Sequence, residues 1–225
     1  MFQEFLLKPI YNALVFIASR VPGNDLGISV AVLVLAIRFL LWPLFNKAAQ
    51  SQALMKKIQP EMDRIRKTHK DDQVKQAQEL MALYKRNHFN PFSSIFILFI
   101  QLPVLIALYQ VFLKGAAGID QSLLYPGINQ IAGFQTLFLG IFELAKPNLF
   151  LAVLSAAIQG AASYLAGKGS KDMNSRWLLI FSPVMTLVIV KQLPSVVAWY
   201  WSLTTIFSII QQLIIEKKYQ DGRNN

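Results

Sequence analysis

The residue best equipped for chemistry in this chain is Arg38, the single charged side chain inside five long apolar runs, set in LVLAIRFLLWPL at 33–44. A guanidinium is permanently cationic and carries five donors, so it can bind an anion or a strong acceptor but cannot shuttle protons. The same runs contain no Asp or Glu and offer only neutral polar groups, among them Gln101, Gln159, Thr204, Thr205, Ser208 and Gln211. Arg38 is therefore expected to face a wet or amide-lined cavity, its charge uncompensated by the chain itself. Two readings stand on these residues alone: a site waiting for a negative group, or a side chain that only bonds to glutamines and carbonyls for packing.

Other chemistry finds little support. Cysteine is absent, and the two histidines, His69 and His88, lie in a polar region, so thiol catalysis, disulfides and soft-metal sites are not expected. No GxxxxGK[ST], HExxH or usable GxSxG occurs, and the glycines at 167–169 are too isolated to cradle a phosphate. No enzyme, cofactor or metal is expected.

The elements that must position Arg38 are membrane spans. Of the 225 residues 54% are apolar and only 15% charged, and several apolar runs reach the roughly 17–25 residues that cross a hydrocarbon core. The expected fold is an all-α integral membrane protein with five transmembrane helices at 28–45, 92–113, 149–166, 177–190 and 196–215. The fourth is short, with Trp177 and Lys191 to anchor its ends. A sixth apolar stretch, 131–145, is cut by Gly133 and Gly140 and reads as an interfacial helix or hairpin.

Lys and Arg set orientation. With five spans, 46–91, 167–176 and 216–225 share one side and carry ten, three and three of the 22 basic residues, which places that side in the cytoplasm and the N-terminus outside. The net charge of +10 is thus a topology signal before it is a nucleic-acid signal, and DNA is not an expected partner. Residues 1–26 read as an amphipathic helix on the outer surface, ended by VPGND, since a signal peptide would want a basic start and a small-x-small cleavage site.

The first span tolerates its arginine. Its twelve Ile, Leu, Val and Phe residues favour insertion by about 4–7 kcal/mol, against about 3 kcal/mol for a central Arg. At a rise of about 1.5 Å per residue, Arg38 lies roughly 15 Å below Ile28, near the midplane. In the cytoplasmic loop, Leu54, Ile58, Met62 and Ile65, and then Val74, Ala77, Leu80 and Tyr84, recur at helical spacing, so 46–90 reads as a helical hairpin, with Pro60 interrupting its first helix or beginning its next turn. Ten basic and five acidic residues give this hairpin a net +5 that suits anionic lipid headgroups, an acidic polypeptide or ribosomal RNA.

Several stretches in order, RFLLWPLFNKAAQSQALMKKIQPEMDRIRK, QELMALYKRNHFNPFSS, QLPVLIALYQVF and FSPVMTLVIVKQLPSVVAWYWSLTTIFSIIQQLII, resemble the YidC family of membrane protein insertases, from about Gly27 to Lys218 with a weaker patch at 114–148. The resemblance implies a five-span core at 27–218 around a hydrophilic groove, open to the cytoplasm and to lipid, followed by a short tail at 219–225. It implies that Arg38 makes the groove positive, that Gln159 lines it, and that Tyr200 and Trp201 contact substrate, with Gln101 and Thr205 as further polar lining. Trp201 departs from a position that is commonly Tyr, and Val34 stands where some members are polar. Without the resemblance, Tyr200 and Trp201 would read as interface-belt anchors.

The implied partners are nascent membrane proteins, anionic lipids, the SecY translocon and the ribosome, although the tail EKKYQDGRNN is short for stable ribosome docking and no large extracytoplasmic domain precedes the core. The implied function is insertion: short polar segments cross through the positive groove and apolar helices slide into lipid, without nucleotide. A folding and assembly chaperone without translocation activity is the alternative, and a small-solute channel is a third reading.

Overall fold

The computed structural model of the chain describes residues 3–90, 101–102, 104–106, 108–110, 119–128, 131–167 and 173–221. Seven α-helices are bounded within them: α1 (Lys8–Ala18), α2 (Leu26–Leu40), α3 (Trp42–Thr68), α4 (Gln73–Arg86), α5 (Leu149–Gly167), α6 (Met173–Val190) and α7 (Ser195–Asp221). A two-stranded antiparallel hairpin, β1 (Leu137–Phe138) and β2 (Phe142–Glu143), precedes α5. The expected all-α membrane architecture is present. The 131–145 stretch, read as an interfacial helix or hairpin, folds as a hairpin.

Two helices are long and apolar enough to cross a bilayer, α5 and the 195–217 part of α7, and α2 with α3 forms a bent pair that qualifies as a third. The expected first span at 28–45 is not one straight helix. It breaks at Leu41, where the axis turns by 75° into α3. Pro43 is the physical reason: it has no N–H to donate, and its ring crowds the carbonyl four residues back, so it is accommodated only in the first turn of a new helix. Pro60, by contrast, sits inside α3 without interrupting it. The expected second span falls largely outside the described residues. Its described positions from 101 to 110 are helical and place Val104 and Leu108 in the main core. The fourth lies within α6, whose apolar part, Leu179–Val190, is short for a crossing.

Local sequence explains the helix starts. Asp25 caps α2 by accepting from the Ile28 N–H at 2.8 Å, and Asp72 caps α4 by accepting from the Lys75 N–H at 2.9 Å. α4 returns along α3 and buries Leu83 and Phe89 against Ile58 and Met62, the expected helical hairpin. The apolar spacing placed Val74 on this contact, yet it is 70% exposed and Leu83 takes the central position.

The expected surface helix at the N-terminus is more deeply packed than an interfacial one. Tyr11, Leu14 and Val15 of α1 are fully buried with Val30, Leu33 and Val34 of α2 and Val197 and Tyr200 of α7. Buried Asn12 fastens the 120–125 segment by donating to the Leu123 carbonyl (2.7 Å) and accepting from the Tyr125 N–H (2.7 Å). The β hairpin is fixed at the same end of the bundle. Gln135 bonds to the backbone on either side of Asp25, the Leu144 carbonyl accepts from the Val196 N–H, and the Lys146 carbonyl accepts from Ser195. Gly27 is required there, since a Cβ on it would lie 2.2 Å from the Phe138 ring.

α5 packs against α6 and α7 through small residues. Ser155 donates to the Ala198 carbonyl at 2.7 Å and sits 2.7 Å from the Ser202 hydroxyl, and Gly160 lies against Pro183. At the opposite end of the bundle, Lys56 of α3 bonds to both the Leu165 carbonyl of α5 and the Glu216 carboxylate of α7.

Candidate functional site

Arg38 stands in the last turn of α2, 8% exposed. Its Nη2 donates to the Thr204 backbone carbonyl at 2.6 Å and to the Ser208 hydroxyl at 3.1 Å, both on α7. The guanidinium carbon lies 4.1 Å from the centroid of the Phe45 ring, a cation–π contact in a desolvated setting. In a straight helix a residue seven positions on would be about 10 Å away along the axis. The bend at Leu41 is what swings Phe45 over the charge.

Among the described residues no carboxylate pairs with Arg38, so its charge is met by a carbonyl, a hydroxyl and a ring face. The two recorded bonds come from one nitrogen of a group with five donors. Beside it is a cavity lined by Val34, Arg38, Gln101, Val104, Tyr200 and Thr204, with Ile37, Leu41 and Phe45 completing the wall. Its volume is about 10 Å³, room for about one water. This is narrower than the wet cavity expected from the sequence, and Val34, Ile37 and Leu41 give it apolar walls. Gln101 donates to the Tyr200 hydroxyl at 2.8 Å across the cavity, which couples the 101–110 helical residues to α7.

The six expected site residues separate into two groups. Arg38, Gln101 and Tyr200 meet around the cavity. Gln159 and Trp201 lie elsewhere, between α5, α6 and α7: the Trp201 indole N–H donates to Gln159 Oε1 at 3.2 Å, and Gln159 Nε2 donates to the Ser182 hydroxyl at 2.9 Å. Thr205, one turn beyond Trp201, is buried and does not line the cavity. The division follows from helix geometry, because Tyr200 and Trp201 are neighbours in sequence and point about 100° apart around α7.

Of three further residues around Arg38, two were among the polar groups the apolar runs offered and one was not foreseen. Thr204 and Ser208 carry the polar stripe of α7 one and two turns past Tyr200, and that spacing of four was the available signal. Phe45 gave none, because its contact exists only through the bend. Gln211, three positions beyond Ser208, is 6% exposed, and its Nε2 has no hydrogen-bond partner among the described residues.

The sequence model of a family described as 60Kd inner membrane protein matches residues 17–222. A protein of Clostridium perfringens named membrane protein insertase YidC is 31% identical over 232 residues, covering 95% of this chain and 92% of its own length. Proteins of the same name from Pelagibacter ubique (30% identical) and Rickettsia africae (33% identical) cover 96% and 94% of this chain. The chain spans 40% and 39% of the length of those two relatives.

Proposed function

The chain belongs to the 60Kd inner membrane protein family, that of the YidC insertases, and on that premise we propose that it inserts nascent membrane proteins. In this reading a short polar segment of the substrate enters among α2, α5 and α7, is received by Arg38, and crosses a shortened hydrocarbon distance. The apolar segment that follows slides into lipid along the first-, third- and fifth-span faces. The observation that carries the proposal is a buried guanidinium, held between α2 and α7 beside a cavity, with no carboxylate partner among the described residues.

Electrostatics supports it. A charge at the bilayer centre costs at least about 3 kcal/mol on insertion scales, and a pre-placed opposite charge offsets part of that for an acidic tail. Arg38 cannot be discharged within the physiological range, so it is a fixed attractor and not a proton carrier. The segment's partition into lipid then drives release, and the proposed cycle uses no nucleotide. The cavity holds about one water as it stands, so the α2–α3 corner must move away from α7 to admit a chain.

Orientation has a structural support. The basic α3–α4 hairpin, the C-terminal end of α5 and the C-terminal part of α7 meet at Lys56, so the ten basic residues of 46–90 share the end of the bundle where α7 carries Lys217. The positive-inside rule puts that end in the cytoplasm and the β-hairpin end outside, within a five-span core. Anionic lipid headgroups are the natural partner of that basic end, and the SecY translocon and the ribosome are proposed as further partners.

The small cavity favours one second reading, a chaperone that holds membrane segments without moving tails across. Photocrosslinking from positions 159 and 201 to a stalled nascent chain, with release into lipid followed over time, separates the two. Insertion predicts crosslinks that decay as the tail becomes protected on the far side. Persistent crosslinks with no tail protection support holding alone.

A further inference from the structure

The β1–β2 hairpin carries apolar side chains where a water-facing loop carries polar ones. Leu139 and Ile141, at its tip, are 66% and 72% exposed. The turn has positive φ at both Leu139 (53°) and Gly140 (70°) and is closed by the Ile141 N–H donating to the Phe138 carbonyl at 3.1 Å. Turns of this kind favour Asn, Asp or Gly, and a left-handed backbone is sterically disfavoured for leucine. Turn geometry therefore does not account for Leu139, and an apolar environment at the tip would.

Continuity identifies that environment. Phe142 stacks on Phe150 with centroids 5.7 Å apart and planes within 8°, and Leu149 and Phe150 are exposed on the first turn of α5. α5 is one of the helices long and apolar enough to cross the bilayer, so the tip extends its lipid-facing surface sideways. The hairpin cannot simply fold onto the protein instead, because Phe138 is buried between Gly27 and Trp199 and Leu144 is fully buried at its base. Polar groups stay at that base: Glu143 beside the Ala145 N–H, and Lys146.

We propose that the 139–141 tip dips into the acyl region just beneath the headgroups of the leaflet at the N-terminal end of α5, lipid being its occupant. It acts as a lateral anchor that fixes the depth of the bundle at this end and perturbs lipid packing where α5 meets the bilayer. The proposal rests on the chain crossing a membrane and is independent of the transport reading.

The chain has no cysteine, so Ile141→Cys supplies a single labelling site, with Leu139→Cys as a second and Asp71→Cys on the α3–α4 hairpin as the aqueous reference. Each is labelled with the environment-sensitive fluorophore NBD and reconstituted into vesicles of phosphatidylcholine and phosphatidylglycerol, with iodide present on both faces. The expected result is blue-shifted emission at 141 and 139, protection from iodide at least several-fold greater than at 71, and quenching by lipids carrying a doxyl group near the headgroup. Iodide quenching equal to that at 71 at both tip positions overturns the proposal. So does a blue shift without doxyl quenching, which would mean that protein covers the tip.

Discussion

The Nη2 of Arg38 donates to the backbone carbonyl of Thr204 at 2.6 Å, so the only charge in the first apolar run is tied to the main chain of the last helix. A carbonyl cannot be removed by side-chain substitution, which makes this contact robust to mutation of Thr204. The variable supports are Ser208 and Phe45.

Phe45→Leu keeps an apolar side chain at the bend but removes the ring face over the guanidinium. We expect a loss of about 1–2 kcal/mol, read as a lower unfolding temperature in detergent, because the contact is desolvated. In Arg38→Ala the same change should cost less, since the partner charge is gone, and a double-mutant cycle measures the difference. Equal cost in both backgrounds would mean that Phe45 serves only as bulk.

Gly27→Ala should be among the most damaging single-methyl changes in the chain. The added Cβ would sit 2.2 Å from the Phe138 ring, which is itself 4.9 Å from Trp199, whose indole N–H donates to the Gly27 carbonyl at 2.9 Å. Overpacking of this kind costs about 1–3 kcal/mol. Phe138→Leu should relieve part of it, so the double variant should unfold above Gly27→Ala alone.

The hairpin has a pH signature. The Thr136 hydroxyl, donating to the Glu143 carboxylate, holds its pKa below the ordinary value, and the Ala145 N–H and the charge of Lys146 add to the effect. A depressed carboxylate stabilises the fold above its ordinary pKa of 4.5, and the contribution is lost as pH falls through the lowered value. Amide exchange at Ala145 and Leu144, taken relative to the intrinsic rate at each pH, should therefore accelerate below pH 4.5 in the parent chain. In Glu143→Gln the acceleration should be absent.

Much of this was legible in the sequence for a physical reason: a lipid core demands long apolar runs, and a charge within one stands out. Arg38, Gln101 and Tyr200 were identifiable on those grounds and on family resemblance, and they do meet at one cavity. What was not legible is what depends on direction. The 28–45 run has the length of a span, but length does not reveal that Pro43 turns it by 75°, and so Phe45 was invisible as a partner of Arg38. Tyr200 and Trp201 were adjacent letters assigned to one site, whereas the helix sends them to different neighbours. The apolar face of α1 suited a membrane surface equally well, and only tertiary packing shows Tyr11 and Leu14 inside the core.

The central claim is that Arg38 offers its positive charge to a translocated segment. The direct measurement compares Arg38→Ala, Arg38→Lys and the parent chain in proteoliposomes, scoring protease protection of the translocated tail for substrates that differ only in having acidic or neutral tails. The account predicts that Arg38→Ala lowers insertion of the acidic-tailed substrate by roughly tenfold, the scale of about 1.4 kcal/mol. It predicts a much smaller effect on the neutral one, with Arg38→Lys retaining most of the activity. Equal insertion of both substrates by Arg38→Ala and the parent chain would contradict it.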